Sequence, residues 1–577
     1  MIRHTLLPLA AALSLAGCAT YSSVDASPAA SSTASSSTVS AGTVSAADPR
    51  AEEAGMAMLR QGGSATDAAI ATMLALTVVE PQSSGIGGGG FLVRGTAEGG
   101  VETFDGRETA PAGATPDWFL DPNGEVPPFA ESIKSGLSVG VPGNVALAAM
   151  AHERHGTLAW ATLFEPAIAL AREGFRITPR LNRSLAGTTD RAGWTESGRK
   201  LFFDSDGQPL PPGHLVVNEE LAQTLEAIAA GGPEVFYRGE IADKLAKVVA
   251  AETPREGAMR TADLASYEAK SRDAVCGAYR GYRICGMGPP TSGGIAVLQI
   301  LGQLERFDLA ALGAENPVTW HLFVESQRLA YADRELYLAD EDFVPVPVAG
   351  LIDADYIARR SALIDPQSAM PSVEAGVPAG ASVALADGDE PEERGTSHFA
   401  VVDARNTMVS YTSTVESAFG SGLMSGGFFL NNEMTDFSRS PHIDGKPVAN
   451  RVEPGKRPRS SMAPMVVWDP EGRPLLAIGA AGGSTIPVQT ARSIIGVIDF
   501  GLDAEDALAM PFAMAYGDAV LVEQGTWLEG AIPQLKAIGH AKVGARKVGL
   551  KANAVLNRNG RWIGARDPRI EAQIVVP

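Results

Sequence analysis

Two strand-like runs, 396–403 and 407–415, are apolar on both of their faces. A sheet built from such strands has no face suited to water. It must be covered on both sides, which selects a layered α/β architecture over an exposed sheet or a helical bundle. Between the runs, Ala404-Arg405-Asn406 reads as a three-residue hairpin loop. That loop sets Thr396 opposite Thr414, so two hydroxyls meet at the open end of the hairpin. A four-residue loop would break the pairing.

Thr396 heads its strand in Arg394-Gly395-Thr396-Ser397-His398-Phe399-Ala400-Val401. A Thr hydroxyl is a weak nucleophile until a base lies beside it, and the nearest base is its own α-amine. That amine exists only after a cut between Gly395 and Thr396. The arrangement therefore suggests a proenzyme that makes its nucleophile by cutting itself, although Gly-Thr-Ser also opens ordinary turns. Upstream, residues 366–394 are loop-like and end in the acidic run Asp387-Gly388-Asp389-Glu390-Pro391-Glu392-Glu393. An exposed stretch of this kind suits a processing site, and equally a solvated linker. His398 reads as a packed strand residue rather than the base.

Elsewhere, Ser64-Ala65-Thr66-Asp67 and the apolar run to Val79 predict a capped helix that stops at Pro81. The glycines of 85–90 lead into a strand from Phe91 to Arg94. With no Lys-Ser/Thr and no helix following, they indicate close backbone packing rather than a phosphate loop. Helical periodicity recurs at 143–154, 218–230 and 318–338. A chain of 577 residues suggests three or four domains at roughly 150 residues each, a rule that large layered folds break. A net charge of −20 argues against a nucleic-acid partner, which requires a basic face.

Arg3 and His4 precede the apolar run Leu6 to Leu15, and Leu15-Ala16-Gly17-Cys18 follows. This predicts a secretory signal ending in a lipobox, with Cys18 lipidated and the protein held at a bacterial membrane on its periplasmic side. Each buried CH₂ of the lipid would contribute about 0.8 kcal/mol. The alternative is a plain signal peptide with an incidental Cys. No other apolar stretch is long enough to span a bilayer. Residues 19–47, nearly all Ser, Ala, Thr and Val, predict a flexible tether, with folded structure from about Asp48. Further on, a turn at Arg280-Gly281 would place Cys276 opposite Cys285, with Cα atoms about 4.5 Å apart. That is within disulfide range. The alternative is two buried thiols.

Taken together, the segments resemble the γ-glutamyltransferase family of glutathione hydrolase proenzymes over residues 48–577. The resemblance rests on Gly395-Thr396-Ser397-His398-Phe399, Phe429-Leu430-Asn431-Asn432-Glu433-Met434-Thr435-Asp436-Phe437, Lys456-Arg457-Pro458-Arg459-Ser460-Ser461-Met462 and Gly482-Gly483-Ser484. Asp105-Gly106-Arg107-Glu108-Thr109-Ala110-Pro111 and Pro289-Pro290-Thr291-Ser292-Gly293-Gly294 also fit. The resemblance implies an α+β fold, the N-terminal-nucleophile hydrolase four-layer αββα sandwich. It implies a large fragment 48–395 and a small fragment 396–577 that remain in one globule.

It also implies roles. Arg107 would fork the α-carboxylate of a γ-glutamyl group, with Ser460 and Ser461 adding hydroxyl donors. Glu433 and Asp436 would accept from the substrate ammonium. Their spacing requires a turn or bulge to bring them together. Glu416 stands where better-known members carry an Asn that contacts the same ammonium. Thr396 would attack the γ-carbonyl, and N–H groups of Gly482-Gly483, between a strand and a helix N-terminus, would hold the oxyanion. An α-amine of reference pKa roughly 7.7–8.0 would move the proton, and water or an amino-acid or peptide acceptor would resolve the ester. Thr414 would orient the hydroxyl during self-cleavage. No metal or organic cofactor is required. Residues 438–450 are too few for the lid of some members, which favours hydrolysis over transfer. The rivals are a cephalosporin (glutaryl) acylase on the same fold, whose substrate lacks the ammonium, and an inactive anchored binding protein.

Overall fold

The computed structural model describes residues 42–382, 386 and 395–574. The predicted signal, Cys18 and residues 19–41 of the predicted tether lie outside the described residues. Two six-stranded antiparallel sheets form the centre. The first has the spatial order Gly42–Ser45, Gly395–Asp403, Met408–Glu416, Gly89–Gly95, Val101–Gly106, Lys270–Arg272. The second has the order Arg561–Arg566, Lys551–Arg558, Pro474–Ala481, Met465–Trp468, Tyr282–Met287, Ala274–Tyr279.

The sheets face each other, and helices close the outer faces. Ala65–Val79 and Asn144–His155 cover the first sheet, while Gly293–Leu304 and Ile486–Ile498 cover the second. The hairpin strands show why both of their faces are apolar. Ala400 and Val402 belong to the core shared with the second sheet, and Phe399 and Val401 to the core under Ala65–Val79. Alternation along a strand delivers one set to each side. The four layers are those of the αββα sandwich. The described residues fall in one unit rather than three or four, because each outer helix layer packs on one continuous sheet.

The hairpin closes through residues 404–406, with Asn406 at a positive φ of 60°. Asp403 Oδ1 accepts from the amides of Arg405 at 2.9 Å and Thr407 at 3.0 Å. Every pair from Met408↔Val402 to Thr414↔Thr396 keeps the register implied by that loop. Ser64 caps Ala65–Val79 in a capping box with Asp67. A Cβ on Gly88 would lie 1.9 Å from the carbonyl oxygen of Thr414, so the glycine run does allow close backbone approach.

One boundary differs from expectation. Among the described residues, ordered structure is already present at Gly42, upstream of Asp48. Gly42–Ser45 pairs with Gly395–Asp403 as an edge strand, and Ser45, Ala46 and Ala47 are buried. Ladder hydrogen bonds and Ser45 Oγ donating to the carbonyl of Ala565 at 2.6 Å fix residues whose composition alone resembles a tether. In the second sheet, Tyr279↔Tyr282 and Cys276↔Cys285 pair in register, and the two sulfurs are bonded with Cα atoms 4.1 Å apart. No helix of the described residues is long and apolar enough to cross a membrane.

Candidate active site

The chain is continuous through Gly395 and Thr396, which open one strand. At this end of the hairpin Thr396 Oγ1 lies 3.2 Å from Thr414 Oγ1. Thr396 Oγ1 donates to the carbonyl oxygen of Gly395 at 2.8 Å, and Thr414 Oγ1 donates to the same oxygen at 2.7 Å. Two hydroxyls thus converge on the carbonyl that precedes Thr396. Beyond Thr414 the ladder shifts register at a bulge, and Glu416 takes a φ of 74°. The bulge re-aims the strand and sets the Glu416 amide on Thr414 Oγ1 at 2.8 Å.

Below Thr396 sits a buried charged group that the sequence did not mark. Lys551 Nζ donates to the carbonyl oxygen of Thr396 at 2.9 Å and to Glu80 Oε2 at 2.6 Å, and lies 2.9 Å from Ser397 Oγ. Arg180 reaches the other oxygen of Glu80 at 2.5 Å. Burial opposes ionisation of Glu80, but Arg180 and Lys551 together hold it down at about 2. Burial and the Arg180 charge pull Lys551 down to about 7, against Glu80. Glu80 is the residue that caps the C-terminus of Ala65–Val79. The C-terminal end of the helix Ala65–Val79 therefore supplies the counter-ion beneath the Thr.

A second cluster gathers around Arg107. Glu433–Asp436 is a single 3-10 turn. Residues three apart eclipse in that geometry, so both carboxylates reach Arg107 and form ion pairs with it. The guanidinium also donates to the carbonyls of Pro458 at 3.1 Å and Arg459 at 2.9 Å. Arg107 and its expected neighbours thus meet, but as one ion-paired knot rather than as two separate ends of a pocket. The reason is charge: a buried guanidinium binds the nearest carboxylates.

Carboxyl groups are in excess here. Glu108, Glu416, Glu433 and Asp436 are all buried. Burial pushes Glu108 up to about 8, with Arg107 opposing, and burial pushes Glu416 up to about 8, with Asp436 adding to it. Burial raises Glu433 well above the usual range against the pull of Arg107. Glu416 accepts from the Asn432 amide through one oxygen. Its other oxygen, and both oxygens of Glu108, have no hydrogen-bond partner among the described residues. Burial raises these carboxyls in the absence of enough cations, and a positively charged guest placed among them would favour their ionised form.

Ser460 Oγ accepts from the Met462 amide at 3.1 Å, and Ser461 Oγ accepts from Arg334 at 2.7 Å. Gly482 and Gly483 follow the strand Pro474–Ala481 and precede the helix Ile486–Ile498. Their φ values of 129° and 57° are positive, so the turn requires glycine. Ala481, the residue before the turn, pairs with Lys551, which places the turn one strand residue from the lysine that holds Thr396. His398 is buried against Gly479 and pairs with Thr412 Oγ1 at 2.9 Å. Burial pulls it down to about 3, so it is a neutral packing residue.

The Gamma-glutamyltranspeptidase family model matches residues 51–576. The chain is 36% identical to the glutathione hydrolase proenzyme of Escherichia coli strain K12 over 90% of this chain and 89% of that one. The chain belongs to the γ-glutamyltranspeptidase family. It is also 35% identical to the glutathione hydrolase proenzyme of Bacillus subtilis strain 168, over 90% of this chain and 89% of that one. Its fold matches the crystal structure of cephalosporin acylase from Bacillus halodurans with a TM-score of 0.79 and 27% identity, covering 92% and 94% of the two chains.

Within this γ-glutamyltranspeptidase-family fold, His321, Glu325 and His540 form a metal-like cluster. The two rings bond each other, Nδ1 of His321 to Nε2 of His540, at 2.8 Å. Glu325 meanwhile accepts from Arg328 at 2.8 Å and from the Met370 amide at 2.7 Å. The cluster satisfies itself. The residues that sequence reasoning missed are Glu80, Arg180 and Lys551. A lysine at the head of the mostly apolar stretch Ala552 to Leu556 was the available signal, since a buried ammonium demands a carboxylate.

Proposed function

We propose that this chain cuts itself between Gly395 and Thr396 and then acts as a γ-glutamyl hydrolase and transferase on glutathione and related γ-glutamyl compounds. The observation that carries this reading is the convergence of the Thr396 and Thr414 hydroxyls on the Gly395 carbonyl oxygen. For self-cleavage, Thr396 Oγ1 attacks the Gly395 carbonyl carbon and Thr414 stabilises the charge that develops on its oxygen. The acyl group passes from nitrogen to oxygen, and water hydrolyses the ester. The new amine serves as base for the second reaction.

In that reaction Thr396 Oγ1 attacks the γ-carbonyl. The amine takes the hydroxyl proton and returns it to the leaving nitrogen, giving a γ-glutamyl-Thr396 ester. Gly482 and Gly483 supply oxyanion donors, each worth about 2.7–4 kcal/mol of barrier. The substrate ammonium enters the carboxyl cluster of Glu416, Glu433 and Asp436 and releases Arg107 from those partners to fork the α-carboxylate, beside Ser460 and Ser461. Water then resolves the ester. Support for hydrolysis over transfer comes from residues 438–450, whose tip at 442–446 is exposed to solvent. The predicted lipobox supports a periplasmic, lipid-anchored location. Fatty-acid labelling that persists in Cys18→Ala would refute the anchor.

A second reading, a glutaryl acylase, is favoured by the fold match to a cephalosporin acylase. The carboxyl cluster argues against it, because a glutaryl group has no ammonium to place there. Turnover of a chromogenic γ-glutamyl anilide with none of the glutaryl anilide supports the first reading. The reverse preference overturns it.

A further inference from the structure

The helix Pro317–Tyr337 ends against the loop that carries Ser460 and Ser461, and the two are tied in both directions. Arg334, in the last helical turn, is buried. Its Nε donates to Ser292 Oγ at 2.7 Å, and its Nη2 donates to Ser461 Oγ at 2.7 Å. In return, Arg459 of the loop donates to the carbonyls of Arg334 at 3.2 Å and Glu335 at 3.1 Å. The helix dipole favours a cation on these last carbonyls. The carbonyl of Arg459 also accepts from Arg107 at 2.9 Å. The candidate carboxylate fork and the two serines therefore share one anchor.

The serine loop is held along its length. Ser292 Oγ donates to the carbonyl of Ser460 at 2.7 Å, and the Ser292 amide donates to the same oxygen at 2.8 Å. Thr291 Oγ1 donates to the carbonyl of Met462 at 2.6 Å. One turn back on the helix, Tyr331 Oη donates to the carbonyl of Ser484, next to the Gly482-Gly483 turn. Residues three apart share a helix face, so the face that fixes the serines also braces the oxyanion turn.

The sense of the Arg334–Ser461 bond sets a proton direction. A hydroxyl has one hydrogen and two lone pairs, and a guanidinium only donates. Arg334 occupies a lone pair of Ser461 Oγ, so the Ser461 hydrogen points elsewhere. The Met462 amide occupies a lone pair of Ser460 Oγ in the same way. Neither hydroxyl hydrogen has an acceptor among the described residues. Both serines are buried, and a buried donor without an acceptor is costly. An anion that accepts from both removes that cost.

We propose that Arg334 is a positioning residue for recognition of the substrate α-carboxylate: it turns the Ser461 hydroxyl hydrogen toward that group and, through Ser292, fixes Ser460 beside it. The inference rests on the γ-glutamyl reading above. Arg334 acts through Ser461. A hydroxyl that accepts from a cation is polarised and becomes a stronger donor. The α-carboxylate does not change during acyl transfer, so its contacts are made equally in the ground and transition states. Loss of such a contact raises KM and spares kcat.

The test uses the purified, self-cleaved chain with γ-glutamyl p-nitroanilide, in a double-mutant cycle of Arg334→Gln and Ser461→Ala. The reading is KM, with kcat measured beside it. Arg334→Gln is expected to raise KM about tenfold, the effect of losing one charge-assisted hydrogen bond, with kcat held within about twofold. In the Ser461→Ala background the same substitution should change KM by less than about twofold, because the hydroxyl that Arg334 directs is gone. Arg334→Lys keeps the buried cation and loses the fork; it replaces Arg334→Gln in the cycle if the latter does not mature. An equal rise of KM in both backgrounds gives Arg334 a structural role only and overturns the proposal, as does an unchanged KM in the parent background. Turnover of glutaryl anilide by the unsubstituted protein, with γ-glutamyl p-nitroanilide refused, overturns the underlying reading instead, and the proposal with it.

Discussion

The ammonium of Lys551 lies 2.9 Å from the carbonyl oxygen of Thr396, three covalent bonds from the nitrogen that the proposed cut would free. Where Lys551 is charged, at and below about 7, it disfavours a second ammonium and so extends the basic form of the new amine to lower pH. Lys551→Met removes that charge and raises the pKa of the amine. The acid limb of the kcat/KM profile is then expected to move to higher pH, by roughly one unit. A purely structural role for Lys551 would lower the folded fraction and leave the limb in place. Arg at this position should restore the limb.

Thr414 donates to the Gly395 carbonyl at 2.7 Å. Thr414→Val keeps the shape and removes the donor. Self-cleavage, followed as conversion of one band to two on a denaturing gel, should slow by about a hundredfold, the usual effect of losing one oxyanion donor. Cleavage at the unsubstituted rate would remove Thr414 from the mechanism.

Burial pushes Glu416 up from 4.5 to about 8. The folded state therefore holds this proton more tightly than the unfolded state. The stability it contributes is full below about 4.5 and is lost as pH rises toward about 8. Glu416→Gln, which carries no titrating proton, should flatten that slope. Urea unfolding at pH 5 and pH 8 of the uncut Thr396→Ala background, with and without Glu416→Gln, measures it. The expected difference is on the order of a few kcal/mol, and equal slopes would contradict the assignment.

The Cys276–Cys285 bond closes a loop with a sequence separation of 9. Replacing both residues with Ala should cost about 2–3 kcal/mol, the chain-entropy value for so short a loop. Thermal unfolding in oxidising and reducing buffer checks this: the parent should lose stability on reduction and the double variant should not respond.

Local chemistry made much of the fold legible. The three-residue loop set the hairpin register and hence the Thr396–Thr414 pair. Ser64 announced its helix, and the Arg280-Gly281 turn aligned the two cysteines. Glu433 and Asp436 were recognisable as a pair, while the 3-10 turn that unites them appeared only in three dimensions. What stayed hidden depends on long-range contact. Lys551 and Glu80 are 471 residues apart, and no pattern near either one names the other. Gly42–Ser45 is a strand because a sheet edge is available to it, a condition that its composition does not record. The ion pairs of Arg107 with Glu433 and Asp436 were missed for a different reason: roles transferred from a family describe a ligand-bound site.

The central claim is that breaking one peptide bond creates the catalytic amine. N-terminal sequencing of the smaller fragment from active protein tests it most directly. The account predicts a single new terminus reading Thr396-Ser397-His398-Phe399, and no fragments and no turnover from Thr396→Ala. A terminus at any other residue, or full activity from a chain still intact at Gly395–Thr396, would contradict it.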